Sequence, residues 1–330
     1  MIRSFHLLSL LFSSSLLATL SAAPSGGPAP HQLTSPDLEL IGVPAGTFQM
    51  GSDEKDPMRF PAELNVTTVK ISQPFWLGKT ELTRGQWEAI MGAITEPTFI
   101  GSPKDLKSLG SDLPMADVTW GEAIAFCDKL TEREKAAGHL PKGYVYSLPT
   151  EAQWEYACRA GVTGLMPATS GERDAMTWYM KTAGPWTYSM GARLNPVAKR
   201  KPNAWGFYDM LGSVREWVLD PLDKYPGGNV TDPLPTKSVF PGKPQKEVIE
   251  LRVMRGGCWI DAERATRAAA RDWADPGKYA AAPTKQPNGK PGSDFRAGTV
   301  GFRLALIPEN FRRSVDPLVA SLSATTASTK

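Results

Sequence analysis

Carboxylates close both ends of the segment Asp209–Glu216, DMLGSVRE, and the backbone carbonyls of Gly212 and Val214 fall between them. Hard oxygen donors spaced along a turn suit calcium, which takes a flexible shell of carboxylates and carbonyls. Asp209, Gly212, Val214 and Glu216 are therefore the candidate metal ligands. The same residues also read as a plain turn whose acids are solvated or paired with Arg215. Cys258, directly after Gly256-Gly257, is the second chemistry-bearing residue. A thiol becomes a nucleophile only when a nearby cation or helix N-terminus lowers its pKa. Arg215 and Arg255 are the cations in view, and the alternative is a small buried residue beside a glycine kink. Histidine is confined to His6, His31 and His139, which gives no support to a zinc hydrolase or a Ser-His-Asp triad. Arg255, Arg264, Arg267, Arg271 and Arg303 either line an anion pocket or pair with Asp209, Asp261, Glu263 and Asp272.

Positioning these groups falls to a chain of 330 residues, 41% hydrophobic and 22% charged, with a formal charge of +3. That composition makes one large or two small globular domains. No basic block stands out, which argues against a nucleic-acid or membrane-surface protein. Met1–Ala23 reads as a secretory signal peptide: Arg3, a short serine-broken apolar run, then small residues. The mature protein is expected to be secreted or periplasmic, without a membrane anchor. Residues 24–38 are expected to be a disordered linker on their Pro/Gly/Ser content, residues 39–308 the domain, and residues 309–330 a flexible tail.

Three T-x-x-[EQ] capping boxes, Thr83/Gln86, Thr119/Glu122 and Thr150/Gln153, predict helix starts. In the third helix Trp154, Ala157 and Cys158 share one apolar face, and a helix this short must dock on something larger. Alternation and turn residues predict strands at Gly46–Ser52, Asn65–Ser72, Phe75–Thr80, Arg252–Ile260 and Thr299–Ile307. Val162–Lys201, Asp220–Glu247 and Asp272–Asp294 read as loops. Helices scattered among short strands give an α+β class. Three cysteines leave at least one thiol unpaired and exclude a disulfide scaffold; Cys127 and Cys158 are expected in the core.

Seven blocks carry a family resemblance: GTFQMGS, FWLGKTELTRGQW, PMADVTWGEAIAFC, YSLPTEAQWEYACRAG, NAWGFYDMLGSVREW, RVMRGGCW and VGFRLA. In this order, from about Leu40 to Leu306, they resemble the formylglycine-generating enzyme (sulfatase-modifying factor) family. The resemblance implies one irregular α+β domain with a C-type-lectin-like core and little regular secondary structure. It also implies that Asp209–Glu216 corresponds to the family's structural calcium loop. The family's other calcium site has no counterpart that aligns within Val162–Lys201.

Active members of the family carry two cysteines after the Gly-Gly pair, which bind copper(I) as soft thiolates and activate oxygen. Their positions are held here by Asp261 and Thr266. Cys258 replaces a serine, Arg215 replaces an active-site tryptophan, and no cysteine follows Asp261. Copper is therefore not expected, nor is the three-histidine iron site of the sulfoxide-synthase relatives. Two functions follow from the resemblance. One is an exported, calcium-stabilised binding or accessory module whose groove holds a peptide or an exported protein such as a sulfatase. The other is a formylglycine-generating-type oxidase, or another oxidative modifying enzyme, acting on such a partner. The missing cysteine pair favours the first.

Overall fold

The computed structural model describes residues 24–94, 110–184, 194–239, 250–276 and 298–312. The expected signal peptide, residues 313–330 of the expected tail, and most of the expected loop after Asp272 lie outside the described residues. The strands are β1 (His31–Thr34), β2 (Asp37–Val43), β3 (Gly46–Met50), β4 (Thr67–Ile71), β5 (Phe75–Gly78) and β6 (Tyr144–Ser147), then β7 (Arg215–Pro221), β8 (Gly228–Thr231), β9 (Arg252–Arg255), β10 (Arg271–Ala274), β11 (Val300–Phe302) and β12 (Ala305–Pro308). The helices are α1 (Arg84–Met91), α2 (Trp120–Ala136), α3 (Glu151–Arg159) and α4 (Ser170–Met176).

Among the described residues three sheets form, in an α+β arrangement. The largest runs β1-β2-β5-β12-β6 and is antiparallel throughout. The second runs β10-β9-β7-β11, with β11 parallel to β7, and the third runs β3-β4-β8, with β8 parallel to β4. The single closing strand expected at Thr299–Ile307 is two strands in two sheets. The change of sheet falls at Arg303-Leu304, between β11 and β12.

Residues 24–38, read as a linker from composition, carry β1. His31 pairs with Leu40 of β2 and its Nε2 lies 2.7 Å from the Tyr146 hydroxyl, while Leu33 is buried. The Trp76 indole donates to the Ala29 carbonyl at 2.7 Å. Long-range pairing overrides the Pro/Gly-rich composition here. The same reason accounts for β8 within the expected 220–247 loop and β10 at the head of the next, whereas α4 within Val162–Lys201 starts on a local cap. Thr169 caps α4, its hydroxyl accepting from the Glu172 N–H at 3.1 Å.

All three capping boxes form. In each, the threonine hydroxyl accepts from the N–H three residues on, and the returning Gln or Glu accepts from the threonine N–H at 2.8–2.9 Å. Trp87 of α1 stacks on Phe126 of α2, and Phe302 meets both edge-on. α3 departs from the amphipathic expectation, because all nine of its residues are buried. It packs against β3, β4, β7 and β9, so its polar face meets protein rather than water.

Candidate functional site

Asp209, Gly212 and Ser213 all have positive φ, at 54°, 75° and 55°, and these left-handed residues coil the Asp209–Glu216 loop tightly. At Gly212 a Cβ would lie 2.1 Å from the Trp178 carbonyl oxygen, so only glycine fits. Asp209 Oδ2 accepts from the Ala198 N–H at 2.7 Å, whereas its buried Oδ1 has no hydrogen-bond partner. Glu216, fully buried, is gripped by Arg303 from two sides at 2.8 and 3.0 Å and accepts from the Trp154 indole at 2.7 Å.

A third carboxylate that sequence reasoning missed completes the cluster. Glu81 accepts from the Ser213 hydroxyl and the Val214 N–H, each at 3.0 Å. Burial, then repulsion from Asp209 and Glu216, holds Glu81 well above the usual carboxylate range. Burial likewise pushes Asp209 up to about 6, against the pull of the Ala198 N–H and Arg303. Glu81 lies more than a hundred residues upstream, so no local spacing announces it.

Three buried acids thus surround one guanidinium. Arg303 serves the Glu216 end, and at the other end one buried oxygen of Asp209 has no hydrogen-bond partner. Among the described residues no three His, Cys, Asp or Glu side chains converge as a metal cluster. A calcium ion here would therefore depend on the Gly212 and Val214 carbonyls beside Asp209.

Cys258 is fully buried, and burial pushes its thiol up to about 12 despite Arg215, whose Nη1 donates to Sγ at 2.9 Å. A thiol protonated at neutral pH has little nucleophilicity. Arg215 Nη2 also holds Asp261 Oδ1 at 2.6 Å, while Asp261 Oδ2 accepts from the Cys258 N–H at 2.9 Å. Thr266 is buried, its hydroxyl donating to the Glu263 carbonyl at 3.2 Å. Of the two positions that the resemblance aligns with the copper pair, one is thus a carboxylate locked on a guanidinium, and the other is a buried hydroxyl. This donor set does not fit copper(I).

Arg215 also pairs with Asp272 at 2.7 Å, and this Arg215–Asp261–Asp272 group faces a cavity of about 460 Å³ walled by Phe60, Met254 and Trp273. A second cavity, of about 400 Å³, is lined by Leu64, Leu222, Tyr225 and Val239. Pro61, Ala62, Arg271 and Trp273 line both, so the two adjoin along β10, which among the described residues is an edge strand of its sheet.

Arg255, Arg267 and Arg271 pair internally, though with other acids than the sequence suggested. Arg255 meets Glu155 at 2.5 Å and Arg271 meets Glu151 at 2.6 Å, both acids from α3. Arg267 meets Glu63 at 2.5 Å and Asp56 at 2.9 Å. Arg264 donates to the Met58 and Arg59 carbonyls.

The family model for the sulfatase-modifying factor enzyme 1-like domain matches residues 27–283. The chaperone protein LppX of Paenibacillus barcinonensis is 28% identical over 241 residues, 62% of this chain and 77% of that protein. The formylglycine-generating enzyme of Bos taurus is 25% identical over 243 residues, 59% of this chain and 61% of the enzyme, so the match leaves over a third of that enzyme uncovered. The Mycobacterium tuberculosis enzyme of the same name is 27% identical over 244 residues, 59% of this chain and 77% of its own. Two solved structures share the fold. Treponema denticola variable protein 1 has a TM-score of 0.61 at 24% identity, covering 84% of this chain and 99% of its own. PvdO from Pseudomonas aeruginosa has a TM-score of 0.60 at 23% identity, covering 85% and 98%. With its blocks in family order and the family model matched over most of its length, the chain belongs to the sulfatase-modifying factor enzyme 1-like domain family.

Proposed function

We propose that this protein is an exported binding or accessory module of the family, without copper oxidase chemistry. Its groove along β10 holds an extended peptide or a loop of an exported protein such as a sulfatase. One observation carries the reading: Asp261 and Thr266 stand where the resemblance places two thiolates in active members, and among the described residues two cavities adjoin along β10. A relative named as a chaperone protein is consistent with an accessory role. Calcium in the Asp209 loop would be structural, clamping the backbone between α3 and the second sheet.

Purified protein incubated with Cu(I), oxygen and a peptide bearing Cys-x-Pro-x-Arg tests the chemistry by mass spectrometry. The peptide thiol mass is expected to persist. Conversion of that cysteine to an aldehyde would overturn the proposal in favour of the oxidase reading.

A further inference from the structure

We infer that residues 24–34 form a strap that clasps the two edges of the largest sheet across its face, and that proton uptake by His31 releases it. Strand order puts β1 at one edge of that sheet and β6 at the other, with β2, β5 and β12 between them. In a flat sheet four strand spacings would hold those edges roughly 19 Å apart. His31 of β1 nonetheless meets Tyr146 of β6, its Nε2 lying 2.7 Å from the hydroxyl. The two side chains converge beside Trp76 of the intervening β5, whose ring centroid is 6.3 Å from that of His31, and Trp76 in turn meets Tyr144 edge-on. Little else holds the strap. Leu33 is the only Leu, Ile or Val among these residues. The Trp76 indole donates to the Ala29 carbonyl, and Arg133 in the last turn of α2 donates to the Ser35 carbonyl just beyond the strap. β1 itself pairs with β2 over four residues. So few contacts make the strap a low-cost place for local opening.

The junction has room for one proton. Burial raises the Tyr146 phenol above its ordinary range, so it keeps its proton and donates it to the bare Nε2 of a neutral His31. A proton on Nε2 fills that lone pair. Among the described residues no other group hydrogen-bonds the Tyr146 hydroxyl, whose own hydrogen is then stranded in a buried place. The charges facing His31 do not offset this. From α2, Glu134 favours the charged imidazole, but it is already engaged by Arg133 at 2.7 Å and by His139 at 3.1 Å. On β2, Asp37 accepts from Gln32, and Glu39 pairs with Lys79. Burial therefore outweighs Glu134, His139 adds to it, and His31 sits below its ordinary value of 6.5. The released strap takes up a proton near 6.5 and the docked strap resists it. Docking is accordingly strongest above pH 6.5 and weakens as pH falls below it.

Hydrogen–deuterium exchange read by mass spectrometry tests the strap, with rates corrected for the intrinsic effect of pH. Peptides covering residues 24–34 are compared at pH 7.5 and pH 5.5 in wild type, His31→Gln and His139→Gln, with peptides of the buried α3 as the reference for global opening. Wild-type protection of the strap is expected to fall several-fold at pH 5.5 while that of α3 holds. His31→Gln keeps a neutral polar group opposite Tyr146 and should show equal protection at both pH values. His139→Gln should still lose it. A fall that persists in His31→Gln, or wild-type protection indifferent to pH, would overturn the inference. The His31 ring-proton NMR signal of wild type gives a readout that stands if the His31 variant fails to fold. It is told from that of His139 by the His139→Gln spectrum. Its titration midpoint should lie below 6.5, and a midpoint at or above that value would equally sink the proposal.

Discussion

Arg255 has no exposure to solvent and gives its donors to Glu155 and to the carbonyls of Ala268, Ala269 and Ala270. A buried guanidinium is tolerable only when its charge is paired, since an unpartnered one costs several kcal/mol; here both terminal nitrogens are bonded and only Nε has no hydrogen-bond partner. Its excess of positive neighbours in sequence was legible as a cluster. Its partner was not, because Glu155 lies a hundred residues upstream. Cys258 was legible in the same partial way: the glycine kink before it is real, with Gly256 and Gly257 at φ 91° and 71°. Whether the thiol is reactive depended on burial, which no spacing encodes. Burial lifts Cys158 and Cys258 to about 12 and raises Cys127 as well. The native protein at pH 8 is therefore expected to resist iodoacetamide at all three positions, with complete labelling in guanidinium, as read by intact mass. Rapid labelling of Cys258 in the native state would restore it as a candidate nucleophile.

The capping boxes were read correctly because everything they need lies within four residues, and they differ in how much water can replace them. Thr150 and Gln153 are buried, whereas the Thr119–Glu122 box is exposed. Thr150→Ala is expected to cost about 2 kcal/mol in urea unfolding, and Thr119→Ala about 1 kcal/mol, since water satisfies the freed donor at Thr119. Equal costs would show that burial of α3 does not amplify its cap. β1, β8 and β10 escaped the sequence for the converse reason. Their hydrogen bonds go to β2, β4 and β9; β1 has Leu33 as its single aliphatic residue, β8 opens on Gly228, and β10 opens on the charged pair Arg271-Asp272. The surrounding sheet makes them strands. The full burial of α3 was illegible for a similar reason, because its Glu151, Glu155 and Arg159 look solvent-facing until Arg255 and Arg271 arrive.

Buried acids give the whole molecule its pH dependence. Burial, with Glu151 nearby, lifts Asp220 to about 8, and burial lifts Asp209 to about 6. Above the ordinary carboxylate value the unfolded chain releases these protons while the folded chain keeps them, so stability falls as pH rises through about 6 and on toward 8. The melting temperature in EDTA is expected to decline from pH 4.5 to pH 8. Asp220→Asn should flatten the upper part of that decline, and added calcium should restore stability above pH 6 by neutralising Asp209. A melting curve indifferent to calcium at pH 7.5 would remove the metal from the loop. A further consequence concerns the order in which the chain is made. β12, residues Ala305–Pro308, lies between β5 and β6 and pairs with both, so the largest sheet lacks the strand that joins β6 to the rest until nearly all described residues have been synthesised. Such non-local pairing delays folding. A chain ending at Pro276 is expected to show no cooperative unfolding transition in urea followed by circular dichroism, whereas a two-state transition would show that β12 is dispensable to the fold.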